Sequence, residues 1–391
     1  TSISTTGGDK KGSRETSLHK NPFWLENFVM KRFEFRVSGL TEEDAKRWDK
    51  QQRREPGQGI AAQAHALVLC AVGAAAVYFV DHSLSKPPPP PLNIVQTIPP
   101  QGSTAMPACA PAVFFLNRPY LGDIKHSLHV TDASGKEYDL TVDSEVMVVK
   151  SHVGNPIVVL APRHSYPAGA GINAQIRHQD AAGKTMMASS VAFTTGAGEA
   201  EGPASAMQLE LGGWRFSGLG DYGLIPESGD VKPVQGDRMA ALSTGSVLGK
   251  SALGGTTSIL SIGPISLNSE RVTLAFAYDF ISSEFDDWVG KKYDDAFLVV
   301  VSGPRGAAAQ LVTSVDQIGK EASTPIIFPG MPKPGELPPQ QSGWQPYSIS
   351  ANVGSPTCIS FLLTDVGDEK FTSVVTLGDI RINESNRPTA K

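Results

Sequence analysis

The chain has 391 residues, 40% of them hydrophobic and 19% charged, with 39 Gly and 29 Pro. That length suits two or three domains, and the glycine and proline content points to many turns. A net charge of −5 gives no basic surplus, which excludes nucleic-acid binding driven by bulk charge.

Residues 1–58 hold 12 Lys and Arg against 9 Asp and Glu, whereas the remainder holds 22 against 30. A mildly basic leader therefore precedes an acidic body. Thr1–Lys20 is polar and reads as disordered unless a partner holds it. Phe23, Trp24 and Phe28 then crowd aromatic surface into one short segment, which suits docking on a membrane surface or on a partner's cytoplasmic face. Thr41 followed by Glu42, Glu43 and Asp44 reads as a capped helix start.

Gly59–Val80 carries no formal charge and follows Lys46, Arg47, Lys50, Arg53 and Arg54. At 1.5 Å per residue it makes a helix of about 33 Å, enough to cross one bilayer core. The expectation is a single transmembrane helix over 59–82, with residues 1–58 cytoplasmic by the positive-inside rule. A buried or amphipathic helix of a soluble protein is the alternative, since Gln63 and His65 interrupt the first turns. Ala62, Ala66, Cys70 and Ala74 recur every four residues as a smooth strip for packing against a neighbouring helix. Pro87–Pro91 makes 83–92 a stiff polyproline spacer.

From 93 to 196 short apolar runs alternate with turn signals. Val113–Leu116, Leu128–Val130, Val146–Val149, Ile157–Leu160, Ile172–Ile176 and Val191–Phe193 read as strands of a β-sandwich. Residues 197–206 are a small-residue linker. The alternation resumes over 207–383, where Val272, Leu274 and Phe276 share a face, as do Phe297, Val299 and Val301, then Ile359, Phe361 and Leu363. That pattern predicts a second sandwich of jelly-roll type, with 384–391 as a tail. The fold class expected is mainly β: two sandwiches behind one N-terminal transmembrane α-helix. The three cysteines predict no disulfide framework, a Cys109–Cys358 bridge being the alternative in an oxidising compartment.

Three resemblances refine this picture. Thr97-Ile98-Pro99-Pro100-Gln101-Gly102, Tyr166-Pro167-Ala168-Gly169, Asp180-Ala181-Ala182-Gly183 and Phe193-Thr194-Thr195-Gly196 resemble the motifs of bacterial Ig-like domains of surface proteins. Gly212-Gly213-Trp214, Tyr278-Asp279-Phe280, Tyr293-Asp294-Asp295-Ala296-Phe297 and Thr364-Asp365-Val366-Gly367-Asp368 resemble bacterial choice-of-anchor domains. These resemblances imply secreted, non-catalytic β-modules. Ser38-Gly39-Leu40-Thr41-Glu42-Glu43-Asp44-Ala45 with Ala64-His65 resembles the light-harvesting β-polypeptides, whose membrane histidine binds bacteriochlorophyll. Here the Gln51–Pro56 stretch departs from that family's apolar pattern, and His65 also reads as a polar residue near the headgroups.

Acidic loops are the one chemical feature of the second sandwich. Asp286, Asp294, Asp295, Asp365 and Asp368 suit a calcium ion, which takes six to eight oxygens. Solvated loop acids are the plainer reading, and no other cofactor is expected. His126, His129, His152, His164 and His178 lack ligand spacing. No GxSxG, HExxH, Walker or CxxC motif occurs, so no catalytic residue and no enzyme activity are expected. The resulting expectation is a structural subunit of a bacterial inner-membrane complex, with a photosynthetic host as one candidate. It would sit in the bilayer against integral-membrane partners, its β-domains periplasmic or extracellular. The alternative is an anchored adhesin or glycan-binding protein, for which Trp214, Trp288 and Trp344 would form an aromatic shelf.

Overall fold

The computed structural model describes residues 92–120, 123–131, 137–141, 143–179, 185–196, 213–248, 256–285, 288–291, 294–366 and 371–384. All fall in the compact unit Pro90–Lys391. The aromatic segment at Phe23, Trp24 and Phe28, the expected transmembrane helix with its Ala62, Ala66, Cys70 and Ala74 strip, and the light-harvesting resemblance lie outside the described residues. Among the described residues no helix is long and apolar enough to cross a membrane.

Nine strands come first: β1 Ile94–Ile98, β2 Ser103–Met106, β3 Ala112–Leu116, β4 Ile124–Thr131, β5 Glu137–Thr141, β6 Ser144–Lys150, β7 Pro156–Pro162, β8 Gly171–Gln179 and β9 Thr185–Thr195. They form a four-stranded sheet ordered β1-β3-β7-β6 and a five-stranded sheet ordered β2-β9-β8-β4-β5. Pairing is antiparallel except for β2 on β9.

The second set is β10 Arg215–Gly218, β11 Tyr222–Ile225, β12 Met239–Ser243, β13 Thr257–Ile265, β14 Arg271–Ser282, β15 Ala296–Gly303, β16 Gly306–Ser314, β17 Thr324–Pro325, β18 Gln340–Gln341, β19 Gln345–Asn352, β20 Thr357–Thr364 and β21 Ser373–Glu384. One sheet runs β10-β13-β20-β15-β16; the other runs β11-β12-β21-β14-β18-β17, with β19 also paired to β14. A single helical turn, Val315–Ile318, follows β16, its Ser314 Oγ accepting from Gln317 N.

Side-chain alternation explains the layering. Phe276, Phe297, Val299, Phe361 and Leu363 point between the two sheets of the second set and build its core. Their neighbours Ile259, Leu298, Val300 and Leu362 point the other way, into the core of the first set, beside Phe114, Val158 and Leu160. Hence β15 and β20 are buried on both faces, which is why their sequences are nearly continuous apolar runs. The small Ala307 and Ala309 on β16 pack against the same core. The four sheets therefore stack as four layers, with the four-stranded sheet against the β10-β13-β20-β15-β16 sheet.

Two further contacts tie these layers. Gln96 Nε2 donates to Thr256 Oγ1 at 3.0 Å and to Thr364 Oγ1 at 3.2 Å. Cys109, in the connection from β2 to β3, forms a disulfide with Cys358 on β20, their Cα atoms 6.0 Å apart. This differs from the expectation of no framework, because cysteines placed in separate sandwiches meet once the sheets pack face to face. The bridge links residues 249 apart. Cys109→Ser with Cys358→Ser should therefore cost about 2–5 kcal/mol, read as a drop in thermal unfolding temperature that the reductant-treated parent protein reproduces.

Candidate functional site

The outer face of the β11-β12-β21-β14 sheet, turned away from the first set of strands, is only partly covered. Along β14 the residues facing out are Thr273, Ala275 and Ala277, all half-buried. Opposite them on β19 stand Ser350, Ser348 and Pro346, all exposed. Thr273 Oγ1 and Ser350 Oγ lie 2.7 Å apart. Small residues thus make a shallow polar floor.

The floor meets a bulge in β21. Register on β14 shifts between Ala275, opposite Arg381, and Ala277, opposite Gly378. Asp379, inside that shift, has φ +50°. Bulges re-aim side chains, and here the result is an Asp379–Arg381 pair, Arg381 Nε donating to Asp379 Oδ1 at 2.7 Å. The arginine side chain is 64% exposed and the aspartate 27%.

Trp344 borders the platform. A Cβ on Gly378 would lie 3.6 Å from both Trp344 Cη2 and Val234 Cβ, ordinary contact distances that place the indole and Val234 over the sheet at this position. Trp344 Nε1 donates to Lys232 O at 3.0 Å, and the ring packs on a cluster containing Ile281, Val374 and Phe328. Val234 and Ile327 beside these loops are exposed. The arrangement offers a half-buried aromatic face, an acceptor–donor fork and hydroxyls on one surface. Trp344 was legible in the sequence; Asp379 and Arg381 were missed, and glycine 378 inside a strand was the available sign of a bulge.

The other two tryptophans lie elsewhere. Trp214 stacks on Phe361 at 5.7 Å, and Trp288 packs on Phe371 at 5.4 Å with Lys291 Nζ 4.6 Å from its ring centre. Among the described residues no ring contact joins the three tryptophans into one shelf.

The acidic residues gather at one end of the same sandwich. The register that pairs Ala296 with Ser314 and with Thr364 carries Asp294 beside Asp316 and Asp295 beside Asp365. Asp294 Oδ1 accepts from Asp316 N at 2.9 Å, and Asp295 Oδ1 from Val366 N at 3.3 Å. Against the larger effect of burial, the adjoining Ser373 and Asp365 side chains lower the pKa of the Asp295 carboxyl. Burial pushes Asp294 up to about 6 and raises Asp295 and Asp316 as well; His152, reaching over from the β6–β7 turn, pulls Asp294 and Asp316 back down. Of the five acids expected at a calcium site, the structure joins Asp295 to Asp365, turns Asp294 toward Asp316, and leaves Asp286 and Asp368 outside the described residues. Among the described residues no group of three or more His, Cys, Asp or Glu is placed to hold a metal ion. The described carboxylates alone therefore fall short of a calcium site, although the buried Asp295 Oδ2 has no hydrogen-bond partner.

No family model matches this chain, and no curated protein does. Solved structures similar to it include TmCBM61 in complex with β-1,4-galactotriose, at 13% identity and TM-score 0.24, covering 44% of this chain and 88% of that one. The K3 adhesin domain of Lys-gingipain from Porphyromonas gingivalis matches at 12% identity and TM-score 0.26, covering 46% and 98%. The CBM22-1–CBM22-2 tandem of Xyn10C from Paenibacillus barcinonensis matches at 12% identity and TM-score 0.24, covering 73% and 77%. These likenesses are too slight to carry an argument about activity.

Proposed function

We propose that the chain is a non-enzymatic recognition protein that binds glycans on the Trp344–Asp379–Arg381 platform. The juxtaposition on one open sheet face carries this reading. A pyranose presents an apolar C–H face, which stacks on an indole, and a rim of hydroxyls, which a carboxylate–guanidinium fork bonds as donors and acceptors together. Because Asp379 balances Arg381, the ligand class is neutral oligosaccharide. Trp344→Ala and Arg381→Ala should each weaken binding about tenfold or more, by analogy with buried aromatic and arginine anchors at interfaces. Calorimetric titration against a panel of neutral oligosaccharides checks this; variants that bind like the parent sink the reading.

The first set of strands serves as a spacer in this proposal. Its orders β1-β3-β7-β6 and β2-β9-β8-β4-β5 support the Ig-like reading. An extracytoplasmic setting, with 59–82 as the anchor, draws support from the Cys109–Cys358 bridge. Calcium is the cation proposed for the acidic end, supported by Asp295 Oδ2 with its remaining ligands drawn from loop oxygens. Calcium in large excess over its dissociation constant should then stabilise the protein above neutral pH by about 3 kcal/mol. An unfolding temperature unchanged by calcium at that pH removes the ion from the account.

A further inference from the structure

Behind the platform, Asp279 on β14 has the same strand parity as Ile281, so it faces the loops that carry Trp344. Its side chain is almost wholly buried. Ser342 Oγ lies 3.2 Å from Asp279 Oδ1 and 3.0 Å from Gly343 O. The same oxygen accepts from Phe280 N at 3.0 Å, while Ser342 N donates to Phe280 O at 2.9 Å. Gly343, the residue before Trp344, has φ +67°, and its backbone N–H favours the ionised Asp279 carboxyl. A serine hydroxyl has one proton, and here two acceptors compete for it.

We propose that Asp279 is the positioning residue for Trp344. Its ionised carboxylate takes the Ser342 hydroxyl proton and the Gly343 N–H, holding the turn so that the indole closes the glycan platform. On protonation the carboxyl becomes a donor to Ser342 Oγ, the Ser342 hydroxyl turns to Gly343 O, and the grip on the turn loosens. Glycan binding therefore weakens on acidification. This rests on the glycan-platform reading for its consequence, though not for the coupling between Asp279 and Trp344.

Supporting chemistry fits the same geometry. Burial pushes the Asp279 carboxyl up to about 7, against the opposing pull of the Ser342 and Gly343 donors. Ionisable groups on the surrounding elements are Arg271 and Tyr278 on β14, Tyr347 on β19, Asp379, Arg381 and Glu384 on β21, Glu227, Asp230, Lys232, Asp237 and Arg238 on the loop before β12, and Lys333 and Glu336 on the stretch before β18. Of these, Tyr278 has its phenol raised chiefly by burial, with the Asp279 charge adding to it. Thr376, directly across the strand pair from Asp279, keeps a buried hydroxyl with no hydrogen-bond partner among the described residues.

The test uses protein labelled with fluorotryptophan, the Trp344 resonance being assigned with Trp344→Phe. Fluorine NMR and oligosaccharide affinity are followed from about pH 5.5 to about pH 8.5, a range that spans the shifted carboxyl. The Trp344 resonance should move with a midpoint near neutrality, and affinity should fall about tenfold toward the acid end. Asp279→Asn should abolish both changes, and Ser342→Ala, which leaves the carboxyl in place, should shrink the resonance shift. A Trp344 resonance that does not titrate, or that titrates unchanged in folded Asp279→Asn or Ser342→Ala protein, overturns the proposal. If the resonance titrates through Asp279 but no oligosaccharide binds at any pH, the positioning role stands and the glycan reading falls.

Discussion

Phe361→Ala should lower the stability of the β-body by about 3–5 kcal/mol, the usual cost of emptying a buried phenylalanine site. The residue is fully buried on β20, and its ring meets Phe276 edge-on at 4.9 Å, stacks with Trp214 at 5.7 Å and with Phe297 at 6.2 Å. Phe276 and Phe297 are held by further ring contacts with Tyr278, which resists their collapse into the gap. The adjacent Leu362 points into the other core, so Leu362→Ala should cost about 2–5 kcal/mol there. Urea unfolding followed by fluorescence and by circular dichroism checks both. Coincident transitions are expected in each variant, because the layers share buried surface. A loss under about 1 kcal/mol for Phe361→Ala would contradict the packing described.

Raising the pH from about 5 to about 8 should destabilise the protein, through carboxyl groups whose ordinary value is near 4. Burial raises Asp279 to about 7 and Asp294 to about 6, with Asp295 moved in the same direction. In the unfolded chain these groups lose their protons at the ordinary, lower pH. The folded state therefore binds more protons across the interval between the two values, and stability falls as pH rises through it. The contribution is complete below about pH 4 and gone above the folded value, near neutrality. For Asp279 alone, a shift of about three units corresponds to about 4 kcal/mol. Unfolding temperatures measured across this range in calcium-free buffer should decline. Asp279→Asn and Asp294→Asn should each flatten the slope. A flat or rising profile for the parent protein would refute the burial argument.

Much of the β-architecture was legible in the residues. The six runs read as strands between Val113 and Phe193 fall within β3, β4, β6, β7, β8 and β9. The three faces headed by Val272, Phe297 and Ile359 all point into one core. In the first set what escaped were β1, β2 and β5, all at sheet edges, and in the second only β14, β15 and β20 were named. Edge strands bury less, so their apolar alternation is weaker and turn residues blur them. The face-to-face contact of the two sets was hidden for another reason. A strand apolar on both sides says that something covers it, not what. The Cys109–Cys358 bridge follows from that contact and was hidden with it.

The candidate site was readable only in part. Trp344 stands out as a residue type, but its company depends on a bulge that alternation does not reveal. Asp294 and Asp295 were picked for their charge. Their separate pairing with Asp316 and Asp365 follows from antiparallel register, which local sequence does not fix. The membrane-complex reading rested on 23–28 and 59–82, which lie outside the described residues.

Stacked sheets sit about 10 Å apart, so from the first layer to the fourth is about 30 Å. Trp344 and Arg381 lie on the far side of the last layer, while the chain enters the body at Leu92, beside β1 in the second layer. Whatever holds the protein by its N-terminal end would see the first set of strands before it sees the indole. A tether at that end would thus aim the Trp344 surface outward, like a hand at the end of a stiff forearm, and bending at the wrist would break the shared core.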